Sequence, residues 1–441
     1  MIDYAPSNLL HADLRIDGDR LMRRIEDLAA IGPIDGGGSC RLALTDEDRA
    51  GRDLVVAWMS DLGLSVTVDA IGNVVGIRPG RTDGPPTMTG SHIDTVRTGG
   101  RYDGNLGVLA GLEVVETLER NGIETNHPVA VAFFTDEEGA RFPPDMLGSL
   151  VYVGGMPLEE ALDIVGIDGA VVGEELERIG YHGPAPCPGV APRAFVELHI
   201  EQGPVLEAEG TTIGAVTGVQ GISWTEWTIT GQSNHAGTTP MELRRDAGHV
   251  AATIAVQVRD LANRLNRQSV AEGRLDRQVG TVGQLNLHPD LVNVVAGSAT
   301  MTVDLRNTDE SLLSGVEADL ARFVAEMAEA EGVTIDKRTL ARFEPVAFDD
   351  RMVETVATVA ERLGHSVRRM PSGAGHDAQM LARICPTGMV FVPSRHGISH
   401  NPAEHTDTED LVAGANVLLH TLLVLDAHPL ESGVPSDGEE D

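Results

Sequence analysis

Histidine and acidic side chains with the spacing of metal ligands form the first of four polar clusters in this chain. In residues 90–95 (GSHIDT), His92 and Asp94 are two positions apart, so in an extended segment both lie on the same face. A histidine that binds a metal ion needs a partner that fixes its tautomer, and Asp94 is placed to orient His92 in this way. Asp103 follows in a Gly-rich turn next to a predicted helix start, where its carboxylate could bridge two ions or simply cap the helix.

The second and third clusters add carboxylates and another histidine at predicted strand positions. Residues 135–139 (TDEEG) directly follow the apolar run 129–134 (VAVAFF), which predicts a buried strand. Adjacent acids there cost free energy unless a metal ion, a proton or solvent relieves their charge, so the alternative is a solvated acidic turn. Residues 195–201 (FVELHIE) alternate strictly and place His199 between two glutamates on one face, which could equally belong to a solvent-facing edge strand.

The fourth cluster contains three histidines within residues 394–405 (SRHGISHNPAEH), and spacing alone does not show which of them binds a metal ion. Together the four clusters supply His, Asp and Glu ligands with a spare carboxylate. A hydrolytic two-metal site needs this set: one carboxylate that bridges ions about 3.5–4 Å apart, and a base for the water between them. Mixed nitrogen and oxygen ligands without cysteine suit Zn²⁺, Mn²⁺ or Co²⁺ and do not choose among them.

The elements that must position these clusters alternate between strands and helices over residues 1–220. Such alternation predicts an α/β catalytic domain with a mostly parallel mixed sheet, which binds ligands at the carboxyl ends of its strands. Residues 221–338 predict instead a smaller inserted α/β sandwich with the order strand, helix, strand, strand, helix, strand. Buried strands resume in residues 339–428, which we assign to the catalytic domain. Residues 429–441, rich in Gly, Pro, Ser and acids, are expected to form a disordered tail.

Charge and composition exclude several other classes of function. The net charge of −34 argues against binding to nucleic acid or to anionic membranes, because both repel an acidic surface. Of the 33 basic side chains only Lys337 is a lysine, which suits either a GC-rich genome or a protein adapted to high salt. Three scattered cysteines, and the lack of a long uncharged apolar stretch or an apolar signal segment, favour a cytoplasmic protein without a membrane span.

The sequence resembles the hydantoinase/carbamoylase branch of the aminoacylase-like di-metal amidohydrolases and metallopeptidases. That branch includes N-carbamoyl-L-amino-acid hydrolases, β-ureidopropionases and allantoate amidohydrolases. The resemblance covers about residues 36–425 and rests on the segments GSHIDT, GGRYDG, TDEEGARF, ELHIEQGPVLE, GQSNHAGTTPMELRRDA, VDLRN, SGAGHDAQ and ISHNPAEHT. It implies a di-zinc exopeptidase-like catalytic domain with an inserted dimerisation and lid domain.

The resemblance also assigns two divalent metal ions per subunit, Zn²⁺, Mn²⁺ or Co²⁺, to five side chains. His92, Asp103 and His199 would hold one ion. Asp103, Glu138 and His400 would hold the other. Related peptidases often carry an acid at the position of His199, and the histidine there is a mark of the carbamoylase branch.

The same resemblance implies the catalytic residues. Glu137 would be the general base that takes a proton from the bridging water and passes it to the leaving nitrogen, and Asp94 would orient His92. His235, from the segment NHAGTTPM, would reach the active site of the partner subunit in a homodimer and help to stabilise the oxyanion.

Five further residues would bind the substrate, a small ureido or amide compound with a carboxylate. Arg306 and Asn293 would bind that carboxylate, for which a bidentate arginine is geometrically suited. Gln202 would contact the carbamoyl or amide end, and Gly375 and His376 would also line the substrate site. The expected reaction is hydrolysis of the C–N bond of an N-carbamoyl-L-amino acid, or a similar ureido acid, to an amino acid, CO₂ and ammonia.

Two positions depart from the usual pattern of the branch and leave the substrate open. Arg97 could favour an acidic substrate or be an ordinary surface arginine, and Ala296 lies where relatives often carry proline. Allantoate, ureidoglycolate and 3-ureidopropionate are therefore alternative substrates. A dipeptidase or an N-acyl-amino-acid deacylase is disfavoured by His199 and Gln202. An inert metal-binding scaffold is disfavoured because no ligand and no base is lost.

Overall fold

The structure of the protein, a computed structural model, describes residues 11–274 and 277–428. The tail that was expected to be disordered, residues 429–441, lies outside the described residues.

The chain divides into two compact units. Among the described residues, the first comprises residues 11–217 and 348–428, and the second, from residue 218 to residue 347, is inserted between these segments. The insertion therefore ends nine residues later than the predicted range 221–338. The reason is that the last strand of its sheet continues to Phe343 and stays paired along its length.

The helices and strands of the described residues are numbered in chain order. The α-helices are α1 (Gly18–Ala29), α2 (Asp46–Asp61), α3 (Asn105–Arg120), α4 (Leu147–Tyr152), α5 (Leu158–Leu162), α6 (Val172–Ile179), α7 (Val205–Glu209), α8 (Ala247–Ala271), α9 (Glu310–Glu331), α10 (Asp350–Arg362), α11 (Asp377–Leu381) and α12 (Thr408–Ala427). The strands are β1 (Ser65–Val68), β2 (Val74–Arg78), β3 (Thr87–His92), β4 (Val129–Phe134), β5 (Ala194–Ile200), β6 (Ile213–Val219), β7 (Gly221–Thr230), β8 (Val279–His288), β9 (Ser298–Asn307), β10 (Thr334–Phe343), β11 (Val346–Ala347), β12 (Val367–Ser372) and β13 (Thr387–Val392).

The first unit is built around a mixed sheet whose centre is parallel. Its strands lie in the order β1-β2-β4-β3-β5-β13-β6, and β12 also pairs with β6. Strands β4, β3, β5 and β13 are mutually parallel, and antiparallel strands flank them on both sides. Every residue of these four strands is buried, as expected of parallel strands covered on both faces. The predicted α/β class is confirmed, and β5 is a central strand rather than a solvent-facing edge.

The carboxyl ends of the four parallel strands meet at one edge of this sheet and carry the four polar clusters. His92 is the last residue of β3, the TDEEG segment follows β4, Glu201 follows β5, and Ser394 lies two residues after β13. Helix α3 has Gly104 at its N-cap and no side-chain cap, so Asp103 does not serve as the helix cap. The fold therefore brings all four clusters together at this edge of the sheet.

Helix α12 is long and apolar enough to cross a membrane by length and composition alone. It packs against α3, α10, β5 and β13, and 67% of its apolar stretch is buried inside the protein. A helix that is apolar on all sides is typical of the core of a large unit, and its contacts place α12 there.

The second unit is a sandwich of one antiparallel sheet and two helices, in the predicted order of elements. The sheet has the order β10-β7-β9-β8, and α8 and α9 supply its apolar layer. On β7, Trp224 and Thr228 are exposed and alternate with buried residues, which marks the open face of the sheet. The edge strand β8 is exposed along most of its length, and this includes the apolar side chains of Leu285 and Leu287.

Candidate active site

Three buried side chains from separate elements form the first group of metal-ligand type. His92 ends β3, Asp103 precedes α3, and His199 lies in β5. The Nε2 atom of His199 is 3.2 Å from Asp103 Oδ1, and the Nε2 atom of His92 is 4.0 Å from the same oxygen. One ligand atom from each residue lies within 4.8 Å of the others, which is close enough for a shared ion.

A second group uses the other oxygen of the same aspartate. His400 Nε2 lies 3.4 Å from Asp103 Oδ2 and 3.3 Å from Glu138 Oε2. Asp103 and Glu138 are buried, whereas half of the His400 side chain is exposed, so this group lies at the mouth of the site. Because its two oxygens face different groups, Asp103 has the geometry of a bridging carboxylate.

Backbone carbonyls fix the tautomers of the two buried histidines. His92 Nδ1 donates to the carbonyl oxygen of Asp94 at 3.0 Å, and His199 Nδ1 donates to that of Ile200 at 2.8 Å. Both Nε2 atoms are thereby left as acceptors that face Asp103, which is the state a metal ligand requires.

The orientation of His92 by Asp94 was predicted to use the carboxylate, and this detail is wrong. The nearest carboxylate oxygen of Asp94 is 3.9 Å from Nδ1, so the main-chain carbonyl does the orienting. The carboxylate instead accepts the backbone N–H groups of Glu137 and Glu138, both at 3.3 Å. A short extended segment can turn its carbonyl toward a preceding side chain, and alternation of side chains does not reveal this.

The acidic segment after β4 places its glutamates in different surroundings. Glu137 Oε2 lies 3.4 Å from His92 Nε2, and Glu138 lies beside His400. Burial raises the pKa of Glu137 well above its ordinary value, and the charge of Asp377 adds to the shift. Burial and the charge of Asp103 do the same to the pKa of Glu138. The alternative of a solvated acidic turn is wrong.

This donor set fits divalent cations. It combines imidazole nitrogens with carboxylate oxygens and contains no thiolate. Among the described residues, the ion pairs of Asp103, Glu137 and Glu138 involve only histidines, never arginine or lysine. Buried carboxylates so close together need compensating positive charge, and bound cations would supply it.

Two polar side chains from other loops contact the bridging aspartate. Gln202 Nε2 donates to Asp103 Oδ2 at 3.0 Å, and Ser399 Oγ lies 2.8 Å from the same oxygen. Gln202 has a positive φ of 56°, and its Oε1 is buried without a hydrogen-bond partner among the described residues. The residue predicted to contact the substrate amide therefore lies at the site, with one acceptor available.

Two side chains lie near His199: His376, which was predicted to line the substrate site, and the carboxylate of Glu197, to which no role was assigned from the sequence. The ring of His376 packs edge-on against that of His199 at 4.5 Å, and its Nε2 lies 2.8 Å from Ser372 Oγ. Glu197 accepts from Ser91 Oγ and from the backbone N–H that follows Asp377. In the sequence, the sign that Glu197 lies near the site is its position two residues before His199, on the same face of β5. Gly375 lies partly buried in the same loop as His376.

The other predicted substrate and catalytic residues belong to the second unit. His235 is exposed, and its Nδ1 accepts the N–H of Gly237 at 3.1 Å. Asn293 is also exposed and contacts the same segment, because its carbonyl accepts the N–H of Ala236. Arg306 donates from two nitrogens to the carboxylate of its own neighbour Asp304. Their roles toward the site in the first unit remain predictions.

Arg97 lies exposed in a turn that is tied to the site on both sides. The N–H of Gly99 bonds to the carbonyl of Val96 and closes this turn. Thr98 Oγ1, next to Arg97, donates to the backbone carbonyl of His400 at 3.1 Å. The arginine is therefore at the rim of the second ligand group.

A parallel-centred sheet that gathers two histidine–carboxylate groups around one aspartate defines a class of metal-dependent hydrolases. The family model of Peptidase family M20/M25/M40 matches residues 88–424, and the chain belongs to this metal-dependent family. The resemblance seen in the sequence is thereby confirmed.

Relatives place the chain near the carbamoylases of the family. It is 43% identical over 410 residues to an N-carbamoyl-L-amino-acid amidohydrolase of Rhizobium meliloti, covering 93% of this chain and 96% of the relative. It is 34% identical over 427 residues to a ureidoglycolate hydrolase of Arabidopsis thaliana, covering 94% and 88%. A solved amidase of the hydantoinase/carbamoylase family from Burkholderia multivorans superposes with a TM-score of 0.90 at 46% identity, covering 95% of this chain and 100% of that one.

Proposed function

We propose that this protein is a metal-dependent amidohydrolase that cleaves the C–N bond of N-carbamoyl-L-amino acids or similar ureido acids. The observation that carries the proposal is the geometry of Asp103, whose two oxygens face separate ligand groups, with Glu137 beside one of them. The substrate class rests on the relatives named as N-carbamoyl-L-amino-acid amidohydrolases, at 43% and 40% identity.

Two divalent ions per subunit, Zn²⁺, Mn²⁺ or Co²⁺, complete the site in this proposal. One is held by His92, Asp103 and His199, and the other by Asp103, Glu138 and His400; each group has its ligand atoms within 4.8 Å of one another. When bound, the ions lower the pKa of a bridging water and polarise the scissile carbonyl.

Glu137 is the general base. It is buried, and its carboxylate faces the space between the ligands, where it takes a proton from the attacking water and returns it to the departing nitrogen. The same carboxylate serves both steps, because the carboxylic acid formed in the first step donates its proton in the second. One water is consumed for each ureido group: hydrolysis breaks one of its two C–N bonds, and the carbamic acid that results decomposes by breaking the other, so that the amino acid, CO₂ and ammonia are released.

The substrate contacts in this proposal are those assigned to Gln202, Asn293 and Arg306. Arg306 and Asn293 bind the carboxylate of the substrate. Asp304 already orients the Arg306 guanidinium, and Trp224 packs against it at 5.6 Å. Gln202 offers its unpartnered Oε1 to the amide end of the substrate.

Gly375 and His376 line the site next to His199. The His376 ring is buried, and its Nε2 is bound to Ser372 Oγ. That contact holds the ring of His376 in place, as its predicted role in binding the substrate requires.

The protein functions as a cytoplasmic homodimer in this proposal, and the second unit joins the subunits. The exposed edge strand β8 supports this, because a long apolar sheet edge is a template for pairing with another chain. His235, exposed on the same unit, completes the site of the partner and stabilises the oxyanion.

Ureidoglycolate or allantoate is the second candidate substrate. The Arabidopsis relative at 34% identity favours it over 3-ureidopropionate, as does a solved structure of a protein called AtUAH in complex with glyoxylate, at TM-score 0.76 and 32% identity. An N-carbamoyl group and an allantoate group both present a ureido carbonyl near a carboxylate, so the same ligands serve either reaction.

A screen of ammonia release tests the function. Chelator-stripped protein is reloaded with Mn²⁺, Zn²⁺ or Co²⁺ and offered neutral and acidic N-carbamoyl-L-amino acids, 3-ureidopropionate, allantoate and ureidoglycolate. We expect N-carbamoyl-L-amino acids to be the fastest, and no reaction without metal. A faster reaction with ureidoglycolate or allantoate would select the second candidate, and no ammonia from any ureido compound would overturn the proposal.

A further inference from the structure

A buried carboxylate outside the ligand set contacts the backbone that leads into Asp103. Glu404 is 5% exposed, and its Oε1 accepts the N–H of Tyr102 at 3.0 Å and that of Asp103 at 3.3 Å. These contacts span about three hundred residues of chain, so they are made only in the folded protein. Because both N–H groups belong to the turn that presents Asp103, Glu404 fixes the path of that turn.

The turn is shaped to receive this carboxylate. A Cβ atom at Gly100 would lie 2.0 Å from Glu404 Oε1 and 2.1 Å from its Cδ. Any side chain at this position would therefore displace Glu404. The second glycine of the GGRYDG segment is required by the approach of Glu404.

The same glutamate also reaches the side chain of the bridging aspartate through a hydroxyl. Ser399 Oγ is 3.1 Å from Glu404 Oε2 and 2.8 Å from Asp103 Oδ2. Ser399 immediately precedes His400, which lies 3.4 Å from the same Asp103 oxygen. Glu404 and Ser399 therefore join the turn of Asp103 to the loop of His400.

The loop of His400 is itself strained and locally braced. His400 has a φ of 53°, a left-handed conformation that L-residues other than glycine rarely adopt. The N–H of Glu404 bonds back to the carbonyl of Asn401 at 2.9 Å and closes the loop. Such strain persists only where surrounding contacts hold it.

We propose that Glu404 and Ser399 are positioning residues that set the separation of Asp103 and His400. They thereby control the affinity of the metal site formed by Asp103, Glu138 and His400. This inference rests on the proposed function only in requiring that the site binds divalent metal. Neither residue belongs to the predicted ligands or to the predicted substrate contacts.

Metal affinity of the purified full-length protein tests the inference without any substrate. Chelator-stripped parent and variants are titrated with Mn²⁺ by calorimetry, and bound metal is counted after dialysis. We expect Glu404→Ala to weaken the second of two binding events by roughly 10- to 100-fold, the usual effect of losing a group that orients a ligand. Glu404→Gln should lose much less metal affinity, because the carbonyl of the glutamine side chain can accept both N–H groups and its amide can donate to Ser399.

Asp426→Ala is the matched control. Asp426 also accepts two backbone N–H groups, those of Asn126 and His127, both at 2.8 Å, and it has no contact with the ligand groups. The Asp426→Ala substitution should lower the melting temperature of the metal-free protein without changing its affinity for metal. If Glu404→Ala fails to fold, Ser399→Ala takes its place in the test, because it removes only one hydroxyl. It should still weaken the second metal-binding event.

The possible outcomes separate the two proposals. Parent-like titrations of Glu404→Ala and Ser399→Ala, with two ions bound, would overturn the inference and leave the proposed function standing. Equal losses of metal affinity in Glu404→Ala, Glu404→Gln and Asp426→Ala would also overturn it, because they would reflect general destabilisation. A parent that binds no metal would overturn the proposed function and this inference together.

Discussion

Glu137 is the residue on which the proposed hydrolysis depends most directly. Its carboxylate lies beside His92 Nε2 at 3.4 Å, whereas the adjacent Glu138 contacts His400. We expect Glu137→Gln to lower kcat by about 10²–10⁴-fold with metal content unchanged, because the amide cannot accept the proton of water. Glu138→Gln is the comparison and should lower metal content first. Full ammonia release from Glu137→Gln with normal metal content would remove Glu137 from the role of base.

Removal of metal should destabilise the protein, and more strongly as the pH rises. In the metal-free protein, burial raises the pKa of Asp94 to about 7 and raises those of Glu137 and Glu138 well above their ordinary values. Such groups take up protons on folding, so their contribution to the free energy of unfolding falls as the pH rises above the unfolded pKa of about 4. We expect chelator-treated protein to melt at a lower temperature at pH 8 than at pH 6.

Reloaded protein is the control for this pH effect. Bound cations offset the repulsion among the carboxylates, so the difference between pH 6 and pH 8 should shrink. His92, whose pKa is lowered to about 4 by burial, acts in the opposite direction, but only below its unfolded pKa of about 6.5. Equal melting temperatures of metal-free protein at the two pH values would contradict the prediction.

At the scale of elements, the sequence predicts those features that local pattern controls. The uninterrupted apolar run of β4 and the acids after it follow from pattern alone, as do the elements of the inserted sandwich. The strict alternation of β5 allowed an edge strand, yet β5 is central, because Glu197 finds buried partners in Ser91 and the start of α11. Those partners lie far away in sequence, and no local pattern encodes them.

In the site too, local sequence pattern does not reveal contacts between residues that are far apart in the chain. His92 and Glu138 were predicted as ligands from the resemblance, and each lies next to a predicted strand end. Glu404 stands in a quoted segment, but its role depends on a contact with Tyr102 and Asp103 about three hundred residues away. That contact arises only when β3, β5 and β13 align in parallel. The orienting carbonyl of Asp94 was missed for a different reason, since side-chain spacing says nothing about main-chain direction.

The edge strand β8 leads to a prediction about assembly. Leu285 and Leu287 are exposed at 44% and 42% on a strand with one unpaired edge. Leu285→Asp combined with Leu287→Asp should convert the proposed dimer to a monomer in light scattering, because charges on an edge strand oppose pairing. The monomer should lose most ammonia release if His235 acts in the partner's site. A variant that stays dimeric would show that another surface joins the subunits.

Mixed dimers test the contribution of His235 separately from assembly. His235→Ala keeps an intact metal site, and His92→Ala keeps an intact His235, so each homodimer alone should be nearly inactive. Co-expression should restore activity to about a quarter of the parental value, since random pairing gives half heterodimers with one complete site each. No recovery in proven heterodimers would place His235 in its own subunit's site or outside the chemistry.

At the scale of the whole molecule, the net negative charge leads to a prediction about how stability depends on salt. The net charge of −34 reflects 67 acidic against 33 basic side chains, and Glu159, Glu160 and Glu174 are among the exposed acids. Repulsion among such acids is felt over a Debye length of about 10 Å at 0.1 M salt and about 3 Å at 1 M. We expect the melting temperature to rise from low salt to molar KCl, by about 1 °C for each kcal/mol of repulsion that is screened, because the unfolding entropy grows with the length of the chain.

The control for this salt effect is a triple variant, Glu159→Gln, Glu160→Gln and Glu174→Gln, which keeps size and polarity but removes three charges. It should melt at a higher temperature than the parent at low salt and gain less from KCl, because it has less repulsion to screen. NaCl at the same ionic strength should act like KCl, since screening depends on charge and not on the cation. An unchanged melting temperature across the KCl series would favour the other explanation of the arginine bias, a GC-rich genome, over adaptation to salt.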